Sequence, residues 1–210
     1  VTYNNNSTDY EDFGSDRHYL ELSRSEENML NMVCENFDNV IVVYNGSSVF
    51  ELGFAKEHEQ IKSLIWCPGT GQTGFKALGE IIAGEVNPSG KTTDILAKDL
   101  EKAPSYNNFV VTMYDNMDEH GVANAFNPDE LKAPSFSNYV EGIYVGYRFY
   151  ETAAAEGFIN YEDEVSYPFG YGLSYTSFEQ KMGELTEDKE GNISVDVTVT
   201  NTGSVAGKEV

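Results

Sequence analysis

Val40-Ile41-Val42-Val43-Tyr44 is an unbroken apolar run that stops abruptly at Asn45-Gly46. A run this short, with no polar alternation, fits a strand covered on both faces, an arrangement that sheets reach mainly with helices packed on either side. A second run, Ser63-Leu64-Ile65-Trp66-Cys67, repeats the pattern. Around these runs the period changes. Ser23-Arg24-Ser25-Glu26 is a capping box, and Met29, Leu30, Val33 and Phe37 follow at helical spacing. Residues 49–54 suit a short helix. Residues 71–83 suit a longer one, with Phe75, Leu78, Ile81 and Ile82 on one face and Gly84 as its stop. Strands alternating with helices predict parallel β-α-β units, and so the α/β class: a layered α/β sandwich with a mostly parallel sheet.

The pattern dissolves over residues 87–138, where Pro88, Pro104, Pro128 and Pro134 punctuate a stretch rich in Asn and aromatics. Irregular excursions of that length in a domain are usually functional or interface-forming. A helix is predicted from about Tyr144, and residues 167–174 form a turn rich in Gly and Tyr. Beyond it the texture becomes that of a β-sandwich. Residues 178–182 suit an edge strand. Ile193, Val195, Val197 and Val199 alternate with Ser194, Asp196, Thr198 and Thr200, the mark of a half-buried strand. Asn201-Thr202-Gly203 supplies a turn, and Gly207-Lys208-Glu209-Val210 opens a further strand. A fibronectin type III-like sandwich needs about seven strands, so residues 175–210 hold only its opening strands, after an α/β domain over residues 1–174. At the other end, Val1-Thr2-Tyr3-Asn4 reads as the end of a strand and not as a signal peptide.

Charge narrows the partners. With 35 acidic and 13 basic residues the formal net charge is −22, which repels nucleic acid and anionic membranes. It says nothing against a neutral substrate, and no apolar run is long enough to span a bilayer. Cys34 and Cys67 lie in apolar sequence without metal spacing and are expected as free thiols. His18, His58 and His120 are too dispersed to imply a metal. Asn6, Asn45 and Asn192 open glycosylation acceptor triplets, a pattern short enough to arise by chance.

Two strings imitate nucleotide sites. Gly69-Thr70-Gly71-Gln72-Thr73-Gly74 has the G-x-G-x-x-G form between a strand and a helix. The further strand ending in an acidic residue that a dinucleotide site requires is missing; the bland alternative is a tight strand-to-helix turn. The string Gly84-Glu85-Val86-Asn87-Pro88-Ser89-Gly90-Lys91-Thr92 imitates a phosphate loop but is one residue too long, and it follows a helix.

Four strings carry more information together than any one alone: Pro68-Gly69-Thr70-Gly71-Gln72, Asn87-Pro88-Ser89-Gly90-Lys91, Glu141-Gly142-Ile143-Tyr144-Val145-Gly146-Tyr147-Arg148 and Tyr167-Pro168-Phe169-Gly170-Tyr171-Gly172-Leu173-Ser174-Tyr175-Thr176. In this order and spacing they resemble the non-barrel part of glycoside hydrolase family 3, the family of many β-glucosidases and β-xylosidases. The resemblance implies a retaining hydrolase of β-linked glucosides or xylosides, without metal or organic cofactor. Its main partner would be a barrel of the same polypeptide carrying the nucleophilic Asp, before or after this segment, since both orders occur in the family. No sign of that barrel is found here, so the chain alone is expected to be inactive.

Glycoside hydrolysis uses two carboxyl groups, one as proton donor to the leaving oxygen and one on the opposite side of the scissile bond. In the resembled family the acid/base Glu often sits in a Gly-Glu-Gly-x-Asp-Arg loop shortly before a helix. The matching stretch here is Tyr10-Glu11-Asp12-Phe13-Gly14-Ser15-Asp16-Arg17. Gly14, Asp16 and Arg17 fit, whereas Phe13 occupies the place of the Glu. Glu11 is the candidate acid/base if the loop carries a two-residue insertion, with Asp9 and Asp12 next. Asp16 and Arg17 are the substrate-binding candidates, or they order the loop by ion pairing. Trp66 is expected in the core more than as a sugar platform, and Arg148 in a structural stack. Two alternatives stay open: a non-catalytic sugar-binding or structural domain, which Phe13 favours, and a nucleotide-binding α/β domain.

Overall fold

Ser23 starts the first helix as its sequence dictates. In the computed structural model, which describes residues 17–108, 112–114, 116, 119, 122–124, 127–132 and 135–210, α1 (Arg24–Asn36) opens on a complete capping box. The Glu26 N–H donates to Ser23 Oγ at 3.3 Å, and the Ser23 N–H donates to Glu26 Oε2 at 2.9 Å. These bonds satisfy two of the donors that every helix start leaves without partners. The helix buries Leu30 and Cys34, one turn apart. Met29 and Phe37, expected on the same apolar face, are 56% and 62% exposed. The face that meets the sheet is narrower than the apolar stripe.

β1 (Val40–Tyr44) pairs in parallel with β2 (Ile61–Trp66), with Val42 opposite Leu64 and Tyr44 opposite Trp66. This pair supports the α/β class, and the other strand pairs described are antiparallel. Burial of β1 on both faces is not found. Val40 is buried, but Ile41 and Val43 are 50% and 36% exposed. With side chains alternating across the sheet, Val40 and Val42 meet α1, and the opposite face stays open among the described residues. Between the strands, a 3₁₀ turn at Leu52–Lys56, slightly later than expected, buries Leu52 almost completely.

β2 passes into α2 (Phe75–Ile82) through a turn with Gly71 at φ +63° and the Gly74 N–H bonded to the Thr70 carbonyl at 3.1 Å. No residue of α2 is buried. The helix ends at Gly84, φ +78°, where the Glu85 N–H reaches back to the Glu80 carbonyl at 2.9 Å, the closing bond of a helix C-cap. The phosphate-loop look-alike is therefore a helix end. The G-x-G-x-x-G turn also lacks its context, because the next strand, β3 (Leu96–Ala97), does not join the parallel pair.

The stretch expected to be irregular contains a run of three consecutive buried residues. Ile95, Leu96 and Ala97 are 4%, 4% and 0% exposed. Short strands β4 (Thr112–Met113), β5 (Val122–Asn124), β6 (Asn127–Lys132) and β7 (Ser135–Phe136) follow, paired β4 with β7 and β5 with β6. Then come α3 (Tyr147–Ala155), α4 (Tyr161–Glu164) and β8 (Val165–Tyr167), which pairs antiparallel with β3. α3 begins three residues later than expected because Asp94 sets its start: Asp94 Oδ1 accepts from the Tyr147 N–H at 2.9 Å and the Ile95 N–H at 2.8 Å. Gly146 precedes it at φ +58°, where a Cβ would lie 2.8 Å from the Asp94 carboxylate. One buried cluster joins Ile95, Ala97, Tyr150 and Val165; a second joins Leu30, Cys34 and Val40; a third joins Phe50, Leu52 and Leu96. Leu22 and Phe54 pack against both of the last two.

Two of the sequence strings bond to each other. Asn87 Oδ1 accepts from Ser174 Oγ at 2.9 Å and the Tyr175 N–H at 2.8 Å, while its Nδ2 donates to the Ala206 carbonyl at 3.1 Å. Lys91 Nζ donates to the Gly172 carbonyl at 2.8 Å. Thr92 exchanges backbone and hydroxyl bonds with Pro168, Gly170 and Tyr171 at 2.7–2.9 Å. Gly172 must be glycine on packing grounds, since a Cβ there would lie 2.1 Å from the Gly90 carbonyl oxygen.

β9 (Phe178–Glu187) and β10 (Ile193–Asn201) form an antiparallel hairpin. The half-buried strand expected at β10 is not found: every residue is exposed, Ile193 at 73% and Val197 at 51%. Alternation gives the hairpin an apolar face, but no described element covers it. Residues 205–210 form no strand; Glu209 instead accepts from Gln180 Nε2 at 3.1 Å and lies 3.5 Å from Lys91 Nζ.

Asn87→Ala should lower stability by about 1–2 kcal/mol, because three bonds, the one to half-buried Ser174 among them, are lost at once. Gly172→Ala should cost about 2 kcal/mol or more through overpacking against backbone. Urea midpoints of the two variants check both values.

Candidate functional site

The turn just before α1 is held from two sides. Arg17 Nη1 donates to the Leu22 carbonyl at 2.9 Å, and Nη2 donates to Glu27 Oε2 at 2.6 Å in the first turn of α1. Next to it, the His18 N–H donates to Glu21 Oε1 at 2.8 Å. The Leu20 N–H donates to His18 Nδ1 at 3.1 Å, so Nδ1 is an acceptor and Nε2 carries the proton. That Nε2–H donates to Glu51 Oε1 at 2.9 Å. The same Glu51 oxygen accepts from the Leu100 N–H at 2.7 Å. One carboxylate oxygen thus ties the entry turn to the segment just after β3.

Arg17, Glu21, Leu22, Glu27 and Glu51 line a cleft of about 410 Å³, together with Glu57, Lys56, Lys98 and Ser166. Its walls mix charge of both signs inside a strongly acidic chain. Lys56 Nζ donates to the Ser166 carbonyl and lies 4.4 Å above the Tyr167 ring. Lys98 Nζ donates to the Glu162 carbonyl at 2.6 Å. Ser166 is buried beneath Gly53, where a Cβ would come 2.8 Å from its Oγ.

Burial pushes the Glu51 carboxyl above the usual carboxylate range, against the lowering effect of the Leu100 N–H and of His18. A carboxyl in a dry setting that still accepts two hydrogen bonds can hold a proton longer than a solvated one. Its bonds here are structural, because both run to this chain's own donors. No group of three or more His, Cys, Asp or Glu suited to a metal occurs among the described residues.

Of the residues singled out in the sequence, Arg17 stands on the cleft wall. Glu11 and Asp16 lie outside the described residues, as do Asp9, Asp12 and Phe13. Trp66 is half-buried in the core as expected, its Nε1–H donating to the Gly46 carbonyl at 2.8 Å. Arg148 lies over the Tyr147 ring at 5.8 Å, and Tyr147 stacks on Phe169 at 4.3 Å, a structural stack. Cys34 and Cys67 are free thiols. Glu51, Lys56 and Ser166 had no sequence signal: their partners lie 33, 49 and 110 residues away.

The sequence model of the glycosyl hydrolase family 3 C-terminal domain matches residues 1–147. The chain belongs to this family. Beta-glucosidase A of Butyrivibrio fibrisolvens is 36% identical over 203 residues, covering 90% of this chain and 21% of that protein. Thermostable beta-glucosidase B of Acetivibrio thermocellus is 32% identical over 207 residues, covering 96% and 23%. The solved structure of a beta-glucosidase from Paenibacillus barengoltzii superposes with a TM-score of 0.66 at 31% identity, covering 85% of this chain and 17% of that one. The chain thus spans about a fifth of the length of the relatives it matches.

Because the folded chain binds the Glu51 proton more tightly than the unfolded chain, this group's contribution to stability is full below the ordinary carboxyl range. It is lost as pH rises through the raised folded value. Glu51→Gln removes that loss and keeps an oxygen acceptor. Its Tm relative to the parent should therefore climb between about pH 4 and pH 7. Glu51→Ala removes the same pH dependence but leaves His18 and Leu100 without an acceptor, so it should lie about 1–3 kcal/mol below Glu51→Gln throughout. Thermal melts across that range distinguish the two.

Proposed function

We propose that this chain is the non-barrel part of a family 3 glycoside hydrolase that cleaves β-glucosides or β-xylosides with retention of configuration. It closes one side of the sugar pocket and supplies the general acid/base, while a barrel of the same polypeptide supplies the nucleophile. The chain alone is inactive. The observation that carries this reading is the family match over residues 1–147, which spans the loop where the acid/base candidates lie. Residues 1–174 form the α/β domain, and residues 175–210 begin a fibronectin type III-like sandwich. In support, the exposed apolar face of the β9–β10 hairpin is the kind of surface a second sheet covers.

The chemistry asked of the loop is a double displacement. The donor carboxyl protonates the glycosidic oxygen as the barrel carboxylate bonds to the anomeric carbon and the alcohol leaves. The same carboxyl, now ionised, takes a proton from water as water displaces the enzyme from the sugar. Glu11 is the residue proposed for this role, and Asp16 and Arg17 are proposed to bind substrate or to order the loop. A specific observation favours a second reading, a non-catalytic relative: Phe13 stands where the family's Glu is expected.

In the full-length parent, Glu11→Ala should reduce turnover of aryl β-glycosides with poor leaving groups by roughly 100-fold or more. Substrates with good leaving groups should suffer much less, and azide should restore turnover by attacking the glycosyl-enzyme without a base. Wild-type kinetics in Glu11→Ala would move the role to Asp9 or Asp12. An inert unmutated parent would leave the non-catalytic reading.

A further inference from the structure

We propose that Arg17, with Glu27 as its counter-ion, is a positioning residue for the proton donor: it fixes where the donor loop leaves the domain. The proposal rests on the reading that residues before Arg17 carry the acid/base. Arg17 is six positions beyond Glu11, and its guanidinium spreads two N–H groups onto two acceptors around the α1 start, the Leu22 carbonyl and Glu27 Oε2. Neither acceptor is loosely placed. Leu22 packs against two buried clusters, and Glu27 follows Glu26, whose side chain closes the capping box. A planar fork that grips two acceptors fixes direction as well as distance, which a lysine ammonium cannot do.

The neighbouring residue removes the remaining freedom. His18 is tied to Glu21 through its N–H and to Glu51 through Nε2, and Glu51 also holds Leu100. Consecutive residues thus fasten the chain to two different elements, α1 on one side and the segment after β3 on the other. The Arg17 and Glu27 side chains are 21% and 46% exposed, so the pair contributes little to stability. Its value lies in geometry. A general acid works only within hydrogen-bond reach of the leaving oxygen, and a small misplacement is costly.

The test uses the full-length parent, with kcat and KM measured on aryl β-glycosides of good and poor leaving groups. Arg17→Ala should lower kcat on the poor-leaving-group substrate roughly 10- to 100-fold, with KM nearly unchanged and the good substrate much less affected. Arg17→Lys should fall between. Glu27→Gln, a change at a half-buried side chain that keeps its volume, should act in the same direction, and it carries the kinetic test if Arg17→Ala does not fold. The exchanged pair R17E/E27R should recover part of the loss. Equal losses on both substrates, or a change confined to Tm, overturn the proposal. Leaving-group selectivity in Arg17→Ala alongside a silent Glu11→Ala upholds the positioning role and moves the donor to Asp9 or Asp12. If the parent is inert, the catalytic reading fails separately, and amide exchange decides the anchor. Exchange at Leu20 and Glu21, whose N–H groups bond to His18, must then rise in Arg17→Ala, and unchanged exchange overturns the anchor as well.

Discussion

The bonds from residues 87–92 to residues 168–176 hold the two halves of this chain in one unit. The first half ends where α2 stops at Gly84, and the turn after β8 lies about 80 residues further on. Closing a loop of that size costs conformational entropy before any contact repays it. The repayment is concentrated: Asn87, Lys91 and Thr92 bond to Pro168, Gly170, Tyr171, Gly172, Ser174 and Tyr175 of the turn, and Asn87 to Ala206 beyond it. With that closure made, β3 can pair with β8, and Ile95, Ala97, Tyr150 and Val165 can bury one another. Tyr175 adds a bond from its hydroxyl to the Ile81 carbonyl at 2.8 Å, tying the turn to the end of α2 as well.

A second set of contacts governs the entry to α1. Arg17, His18 and Glu51 form a short relay of hydrogen bonds from the α1 start to Leu100. The bonds between residues 87–92 and 168–176 close the domain on itself, whereas Arg17, His18 and Glu51 fasten the turn before α1. Scaffold stability comes from buried side chains and paired backbone, whereas charge-assisted bonds of this kind can be strong in direction and modest in energy.

The exposed apolar surfaces have a common logic. Ile41 and Val43 on β1, Met29 and Phe37 on α1, and the valines of β10 all lie on faces that alternation or helical spacing marks as apolar. No described element covers these faces, and the chain spans about a fifth of the length of the relatives it matches. Their exposure follows from which partners a face has, and not from a fault in the local pattern. Burial is a property of two surfaces, and a stretch of sequence specifies only one of them.

Local chemistry was legible in the residues themselves. Ser23 and Glu26 are three apart and reach each other's backbone, Gly84 ends a helix, and the Val40–Tyr44 and Ile61–Trp66 runs become parallel strands. The four motif strings pointed to the family. None of this required contacts between distant segments. What the residues did not disclose depends on such contacts. Ile95, Leu96 and Ala97 sit in a stretch without helical or strand period, yet are three consecutive buried residues, because β8 arrives from about 70 residues away to pair with them. Asn87-Pro88-Ser89-Gly90-Lys91-Thr92 and the Tyr-rich turn were visible as separate strings; only folding made them a single clamp. Arg17 was visible as a site candidate, but its Leu22 and Glu27 partners, and the Glu51 bond beside it, were set by how α1 and the segment after β3 pack. Periodicity and capping are read over a few residues, whereas partner choice is settled by the packing of the whole chain.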